Sequence, residues 1–369
     1  MESIFTKEKL FKAYADCKNK KKNTINALKF EINREKNLFK LLRELQQGNY
    51  KISRHICFVV TDPKPREIFA ADFRDRIVHH LLYNEITDIF EKDFIDNSFA
   101  NRKGKGSHKG VKELKAYLQN NRQSWYLKLD IKSFFCSIDK DVLFTVIKEK
   151  ILSADRPQYW KKEILWVTQK IIYNDPTQNF IYKGDKRLRH LIVNEKSLFY
   201  SQGRGLPIGN LTSQFFANIY LDAMDKYISL QANGYYIRYV DDFIILGGRS
   251  IIKNLEAIKT FLKTDLGLAI SDKKIKFQPS RTGIDFLGYY IKPDYILVRK
   301  KVVAKFKRKI VWQKYNTQSQ RLSAINSYFG HFMHASTYNL RRKLFTKILT
   351  TGNSNFTSQG EYDYLKLLV

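Results

Sequence analysis

Apolar residues along this chain change their period several times, and each change marks a different element. Residues 6–50 set Leu28, Phe30, Ile32, Leu38, Leu41, Leu42 and Leu45 among Lys, Arg and Glu, a spacing that predicts helices. Residues 54–71 read as a short strand pair around Pro63-Lys64-Pro65, followed by a helix over 72–90. Gly104, Gly106 and Gly110, set among Lys103, Lys105, His108 and Lys109, mark a basic loop before another helix. Tyr126-Leu127-Lys128-Leu129-Asp130-Ile131 alternates as a strand. Residues 140–201 predict a mainly helical insertion with a turn at Asn174-Asp175-Pro176. A turn containing Gly203, Gly205 and Gly209 then opens a helix that runs to Asp225. Two short runs rich in β-branched and aromatic residues, 235–240 and 243–246, predict a β-hairpin with Asp241 and Asp242 at its tip. A helix over 252–265, two strands near 285–298 and a helical final 70 or so residues complete the pattern. With 7 prolines, no low-complexity linker and no internal repeat, the units interleave rather than hang on tethers.

Composition narrows the class. A length of 369 residues predicts two or three structural units, and 43% hydrophobic residues suffice for a sizeable core. Lys and Arg number 66 against 36 Asp and Glu, a formal charge of +30. That much positive charge repels itself in a compact chain unless a polyanion is the usual partner, and nucleic acid fits best. An anionic membrane surface is the rival. No stretch approaches 18 apolar residues, however, and no basic amphipathic segment detaches from the core pattern. Met1-Glu2-Ser3-Ile4-Phe5 lacks the charged-then-apolar pattern of a signal peptide. Cys17, Cys57 and Cys136 are widely spaced and form no CxxC pair, which argues against a disulfide framework and against a zinc site. The expected compartment is reducing and cytoplasmic.

Three carboxylates carry the candidate chemistry. Asp241 and Asp242 are adjacent like charges, costly unless a cation holds them, and hard divalent ions prefer carboxylate oxygen. A solvated acidic turn satisfies the same pattern. Asp130 ends an apolar strand, where it either caps the next segment or coordinates something. Taken jointly, three carboxylates on two strand ends can hold two ions about 3.5–4 Å apart, the arrangement of metal-assisted phosphoryl transfer.

The order of motifs supports that joint reading. YLKLDIKSFF resembles the first palm motif of reverse transcriptases, and YVDDF resembles their third. Between them, Gln202-Gly203-Arg204-Gly205-Leu206-Pro207-Ile208-Gly209-Asn210-Leu211-Thr212-Ser213-Gln214 resembles the (I/V/L)GxxxSQ signature of reverse transcriptases from diversity-generating retroelements, where most relatives carry PQGxxxSP. Upstream, KPREIFAADFRDRIVHHLL and DNSFANRKGKGSHKG resemble that family's fingers motifs. Downstream, LGLAISDKKIKF and GIDFLGYYI resemble its later palm motifs, and INSYFGHFMHASTYNLRRKL resembles its thumb. The similarity runs in order over roughly residues 55–345. It implies an α+β right-hand polymerase with a ferredoxin-like palm carrying an antiparallel sheet and a short helical thumb. The implied boundaries are an N-terminal extension and fingers over 1–120, a first palm segment over 121–140, a helical insertion over 141–200, the remaining palm with its catalytic hairpin over 201–291, and a thumb over 292–369.

Residue by residue, the resemblance implies that Asp130, Asp241 and Asp242 bind two Mg2+ ions, with Mn2+ as a substitute and the Ile131 carbonyl assisting. The backbone N–H groups of Ser133 and Phe134 would meet the nucleoside triphosphate. Phe135 matches the steric gate against a ribose 2′-hydroxyl, although an aromatic after a strand is equally core. Lys64 and Arg66 fit a triphosphate grip, Arg through its planar fork and Lys as a point charge, whereas a lone Lys-Pro-Arg would be a solvated turn. Lys274 matches the lysine that protonates or neutralises the leaving pyrophosphate, with Lys273 and Lys276 as neighbours. Phe286, Leu287 and Gly288 resemble the primer-grip hairpin. Ile208 stands where related polymerases place a glutamine that contacts the incoming sugar. Losing a polar contact at a discriminating site removes part of the difference between right and wrong nucleotides. The resembled family misincorporates opposite template adenine, and Ile208 is expected to contribute. Gly209, Ser213 and Gln214 complete that segment on the template side. The run 299–309 holds seven basic residues in eleven, either a solvated face or a phosphate-tracking surface for duplex.

Template-repeat RNA, primer and cDNA, deoxynucleoside triphosphates and a small basic ring-forming accessory variability protein are the partners that the resemblance implies. Alternatives are a retron, group II-like or abortive-infection reverse transcriptase, or a non-catalytic RNA-binding protein with an inactive palm. Retron-type NAxxH and VTG motifs are missing, Val167-Thr168-Gln169 being the nearest approach. The 78 residues after Ile291 match a thumb and are too few for an RNase H, maturase or endonuclease unit.

Overall fold

The computed structural model describes residues 2–19, 24–231, 234–312, 317–350 and 356–367. Expectations for 20–23 within the first helical region, and for 351–355 and 368–369 at the end, lie outside the described residues. Three helices open the chain: α1 (Lys7–Asn19), α2 (Ile25–Ile32) and α3 (Arg34–Gln46). Leu10, Ala13, Tyr14 and Cys17 of α1, and Leu38, Leu41, Leu42 and Leu45 of α3, recur at helical spacing and are buried. The expected strand pair is β1 (His55–Val60) and β2 (Arg66–Ala70), antiparallel across a turn with a cis Asp62–Pro63 bond. Helix α4 (Phe73–Glu91) starts at Asp72, whose carboxylate accepts from the Arg74 N–H at 3.1 Å. After α5 (Ser107–Asn120) come β3 (Trp125–Asp130), the single turn α6 (Phe134–Ser137), α7 (Lys140–Ser153), α8 (Gln158–Tyr173) and β4 (Phe180–Tyr182). Helix α9 (Leu211–Gln231) leads into β5 (Gly234–Tyr239) and β6 (Asp242–Gly247), followed by α10 (Asn254–Leu266) and β7 (Lys276–Pro279). A meander of β8 (Ile284–Phe286), β9 (Tyr289–Ile291) and β10 (Ile296–Val298) precedes α11 (Lys300–Trp312), α12 (Gln318–Phe332), α13 (Tyr338–Thr350), β11 (Phe356–Gln359) and β12 (Tyr364–Leu367).

The site rests on a four-stranded antiparallel sheet of order β5-β6-β3-β7. Strand β6 is buried on both faces, which explains its unbroken apolar run. Phe243 and Ile245 face one core with Leu127 and Leu129, packed under α4, α7 and α9. Ile244 and Leu246 face a second core with Tyr126 and Ile237, which continues into α5, the β8–β10 meander and the C-terminal helices. A one-residue slip of β6 would exchange these two sets, so both cores together pin its register.

Two expectations are corrected. The segment 141–200 is helical only in its first half. Phe180 stands edge-on to Phe69, with ring centroids 5.8 Å apart, and to Phe199 at 5.4 Å. These aromatic contacts draw β4 alongside β1 in parallel, giving a sheet of order β2-β1-β4 followed by short 3-10 turns. The C-terminal region is likewise not all helical. Strands β11 and β12 form a hairpin that Asn326 of α12 holds by bonding both the N–H and the carbonyl of Leu365 (2.7 and 2.9 Å). Tertiary contacts override local propensity in both places. Among the described residues no helix is long and apolar enough to cross a membrane.

Beneath the junction of these units lie two buried histidines. His79 bonds Thr212 Oγ1 through Nδ1 at 2.5 Å, and burial, with His55, His80 and Arg76 nearby, pulls its pKa down to about 3. Burial takes His55 down to about 4. Both stay neutral in the folded protein while the unfolded chain takes up protons below 6.5. Their stabilising contribution is therefore complete above pH 6.5 and lost as pH falls toward 4. Asp75, which burial raises to about 6, works in the opposite sense over most of that window, from about pH 6 downward. Urea unfolding between pH 7 and pH 5 should show His79→Gln losing less stability on acidification than wild type. The difference should be on the order of 2 kcal/mol at pH 5, and equal slopes would remove the assignment.

Candidate active site

Strand register brings the acidic residues together. Asp130, the last residue of β3, lies opposite Asp242, the first of β6, and Asp242 also pairs across the hairpin with Tyr239 of β5. Val240 and Asp241 form the two-residue turn. Val240 adopts φ +57°, a left-handed conformation that costs a β-branched residue roughly 1–3 kcal/mol. Two hydrogen bonds hold the turn there. The Val240 carbonyl accepts from Arg238 Nη1 at 3.1 Å, and the Asp241 carbonyl accepts from the Ile131 N–H at 3.1 Å.

Arg238 is 1% exposed and Asp225 of α9 is fully buried. The guanidinium grips this carboxylate with both arms, Nε to Oδ1 at 2.6 Å and Nη2 to Oδ2 at 2.5 Å. Its remaining N–H groups reach Asn218 Oδ1 (3.2 Å), Ser98 Oγ (2.9 Å) and the turn carbonyl. Tyr236 adds its hydroxyl to Asp225 at 2.7 Å, and Asn218 Nδ2 donates to the Ala100 carbonyl at 2.8 Å. A buried charge is tolerated when it is paired and fully hydrogen-bonded, and Arg238 meets that condition.

The carboxylates differ in their surroundings. Lys274 bonds Asp130, and Lys128 reaches Asp242 Oδ2 at 3.0 Å. Among the described residues no lysine is bonded to Asp241 in this way. Burial, then the charge of Asp130, pushes its carboxyl up to about 6. Asp242 is also raised by burial, against the pull of Lys128. Its second oxygen, Oδ1, is buried without a partner. Among the described residues no group of three or more Asp, Glu, His or Cys side chains is gathered into a ready-made metal cage. The donor set nevertheless fits a hard divalent cation: carboxylate oxygens only, one orphaned, and one carboxyl whose ionisation is opposed by like charge.

Around this centre the other expected residues fall in three places. Ser133 adopts φ +48° at the start of α6, with its hydroxyl buried and unpartnered. Phe134 is buried, whereas Phe135 is half-buried and meets it edge-on at 5.4 Å. Gly205 passes so close to α6 that a Cβ would lie 2.9 Å from the Phe135 carbonyl, and Leu206 N–H donates to that carbonyl at 2.8 Å. Ile208 is half-exposed, but its backbone is sewn to β2: its carbonyl accepts from Phe69 N–H at 3.0 Å. Asn210 then bonds the Ala71 N–H (2.9 Å) and the Phe69 carbonyl (3.2 Å) like an extra strand residue. Gly209, at φ +123°, leaves room for Ile68. Ser213 is buried and Gln214 half-buried in the first turn of α9. Arg66 opens β2 with Lys64 in the turn before it, both exposed, and neither has an ion-pair partner among the described residues.

The third place is the β8–β9 turn, Leu287-Gly288, with both φ positive as a two-residue hairpin of this hand requires. Phe286 is buried, and a Cβ on Gly288 would sit 3.0 Å from the His331 ring. The basic run forms α11, whose Lys305 and Lys309, one turn apart, both reach Asp62 at the tip of the β1–β2 hairpin. Sequence reasoning singled out neither Lys128, Asn210, Asn218 nor Arg238. A lysine two positions before Asp130 and an arginine inside an apolar strand were the available signals.

Carboxylates at the adjoining ends of the two central strands of an antiparallel sheet, with a glycine segment packed against α6 just after β3, fit a polymerase of the right-hand α+β class. A family model described as reverse transcriptase (RNA-dependent DNA polymerase) matches residues 61–291, and the chain belongs to that family. It is 26% identical over 291 residues to the "Putative COX1/OXI3 intron 2 protein" of Saccharomyces cerevisiae, covering 69% of this chain and 34% of that protein. Protein YkfC of Escherichia coli is 23% identical over 286 residues (67% of this chain, 68% of that one), and the group II intron-encoded protein LtrA of Lactococcus lactis 24% over 197 (53% and 28%). The chain thus spans about a third of the yeast relative's length. The solved telomerase from Candida albicans aligns at 12% identity with a TM-score of 0.48, over 86% of this chain and 58% of that one.

Removing one partner of the buried pair should be severe. Arg238→Met is expected to cost roughly 3–5 kcal/mol of unfolding free energy, because it strands the Asp225 charge. The double variant R238M/D225L should recover much of that loss in urea titration; a double variant no more stable than the single one would show that the pair is not the source.

Proposed function

We propose that this protein is an RNA-directed DNA polymerase that copies a template RNA into cDNA, with the chemistry at Asp130, Asp241 and Asp242. The observation that carries this reading is the register of β3 against β6, which sets Asp130 opposite Asp242 beside a braced Asp241. Magnesium bound by these carboxylates and the Ile131 carbonyl would supply Lewis-acid stabilisation of charge on the transferring phosphoryl group. The chain's own residues do the positioning. Arg66 and Lys64, without an ion pair among the described residues, would hold the triphosphate, together with the backbone at Ser133 and Phe134. Half-buried Phe135 would bar a 2′-hydroxyl. Lys274 is the lysine of its cluster that reaches Asp130, and its ammonium would serve the leaving pyrophosphate as proton donor or counter-charge. Phe286, Leu287 and Gly288 would hold the primer end, and the basic face of α11 would track duplex phosphates.

The segment at Ile208 favours a diversity-generating retroelement enzyme. Such an enzyme copies a template-repeat RNA with errors at adenine and works with a basic ring-forming accessory protein in the cytoplasm of a bacterium or in a phage infection. Ile208 offers a side chain that cannot hydrogen-bond, on a backbone fixed by Phe69 and Asn210. The intron-encoded relatives support a second reading, a group II-type reverse transcriptase of ordinary fidelity.

Primer extension on RNA with magnesium should be abolished, by a factor on the order of 1,000 or more, in Asp130→Ala and Asp241→Ala. Wild type without extension, alone or with its partners, would end the enzymatic reading. Sequencing of the cDNA separates the two finer readings. Adenine-directed errors that fall several-fold in Ile208→Gln support the diversifying enzyme, and an error spectrum that is even across bases supports the intron type.

A further inference from the structure

Lys128 is a half-buried lysine in the middle of the sheet that the chemistry described so far does not use. It lies two residues before Asp130 and so projects from the same face of β3. Its side chain is only 13% exposed, and its ammonium makes three contacts. It donates to Asp242 Oδ2 at 3.0 Å and to the Asp285 main-chain carbonyl at 2.7 Å, and it stands 5.7 Å from the centre of the Phe286 ring. Asp285 and Phe286 belong to β8, the first strand of the hairpin that turns at Leu287-Gly288. The chain of contacts continues outward. The Asp285 carboxylate bonds the Arg299 guanidinium, and the Arg299 N–H donates to the Gly288 carbonyl at 3.0 Å, immediately before α11.

Neutralising Asp242 needs only a nearby positive charge, which an exposed lysine would provide at lower cost. A lysine that gives up water to bond a carboxylate and a specific backbone carbonyl at once fixes a distance between them. The two groups it joins lie in different sheets: Asp242 begins β6 of the four-stranded sheet, and Asp285 lies in the β8–β10 meander.

We propose that Lys128 is a positioning residue for DNA synthesis: it ties the Asp242 carboxylate to the β8–β9 hairpin and so keeps the primer end in register with the catalytic carboxylates. The inference rests on the polymerase reading and on the hairpin's role in holding primer. Its distinguishing consequence is a loss in turnover with no loss in binding. Misplacement of reacting atoms by about 1 Å costs on the order of 100-fold in rate, whereas Lys128 itself is not among the residues proposed above to hold template, primer or nucleotide.

The test is primer extension on an RNA template with wild type, Lys128→Met, Lys128→Gln and Lys128→Arg. Primer–template Kd is measured by fluorescence anisotropy and folding by thermal melt. The methionine and glutamine variants should show kcat lowered on the order of 10- to 100-fold. Primer–template Kd and nucleotide KM should stay within about twofold of wild type and Tm within a few degrees, and the arginine variant, which restores charge and two donors, should regain most of the rate. An active wild type with unchanged kcat in the first two variants overturns the inference and leaves the polymerase reading intact. So does a loss explained wholly by weaker primer–template binding or by unfolded protein, or an arginine variant that folds and gains nothing. An inactive wild type overturns the polymerase reading, and this inference with it.

Discussion

The buried Arg238–Asp225 pair is the interaction on which the rest of the site depends. It ties helix α9 to strand β5 by two parallel charge-assisted bonds, and the same guanidinium reaches Ser98 on the segment before α5 and the carbonyl of Val240 in the hairpin turn. Helix α9, the hairpin turn and the segment around Ser98, far upstream in the chain, are thereby referred to one planar group. The geometry suits arginine alone, because a lysine has neither the fork nor enough donors to replace it. Burial makes the arrangement unforgiving: every N–H must find a partner, so each contact specifies the position of the others. Val240 keeps its unfavourable backbone conformation because the groups around it are fixed from outside the turn.

Lysines recur as internal counter-ions. In a protein of net charge +30, two of them are spent inside the site, Lys274 on Asp130 and Lys128 on Asp242. Among the described residues this leaves Asp241 as the carboxylate of the three without a bonded lysine, and its raised pKa follows from burial beside like charge. Other basic side chains stay outside this centre, Arg66 at the start of β2 and the lysines along α11 among them. A similar economy appears at Asp62, a single carboxylate between two lysines of α11, which joins the β1–β2 hairpin to the C-terminal helices across the molecule.

Much of this was legible in the sequence, for identifiable reasons. The strand ending in Asp130 and the hairpin around Asp241-Asp242 showed because period-two alternation and β-branched runs are short-range signals. The glycine segment showed because Gly205 and Gly209 are positions where backbone approach excludes a side chain. What stayed hidden depends on contacts distant in the chain. Strand β4 is three residues long and exists because Phe180 meets Phe69 and Phe199; nothing within 174–185 announces it. The β11–β12 hairpin needs Asn326, some forty residues earlier. Among the site residues, Arg238 looked like an interruption of an apolar strand. Its meaning lies in Asp225, Asn218 and Ser98, which only the fold brings to it.

The stitching of Ile208 to β2 has a consequence for how such an enzyme can change over generations. Selectivity is usually hard to alter because the residues that confer it also hold the scaffold. Around position 208, Asn210 and the Ile208 carbonyl make the bonds of the frame, and the Ile208 side chain projects from it half-exposed. A substitution at 208 alters what this surface presents while the hydrogen-bonded frame beneath stands still, so its chemistry can vary by single mutations without first rebuilding the fold.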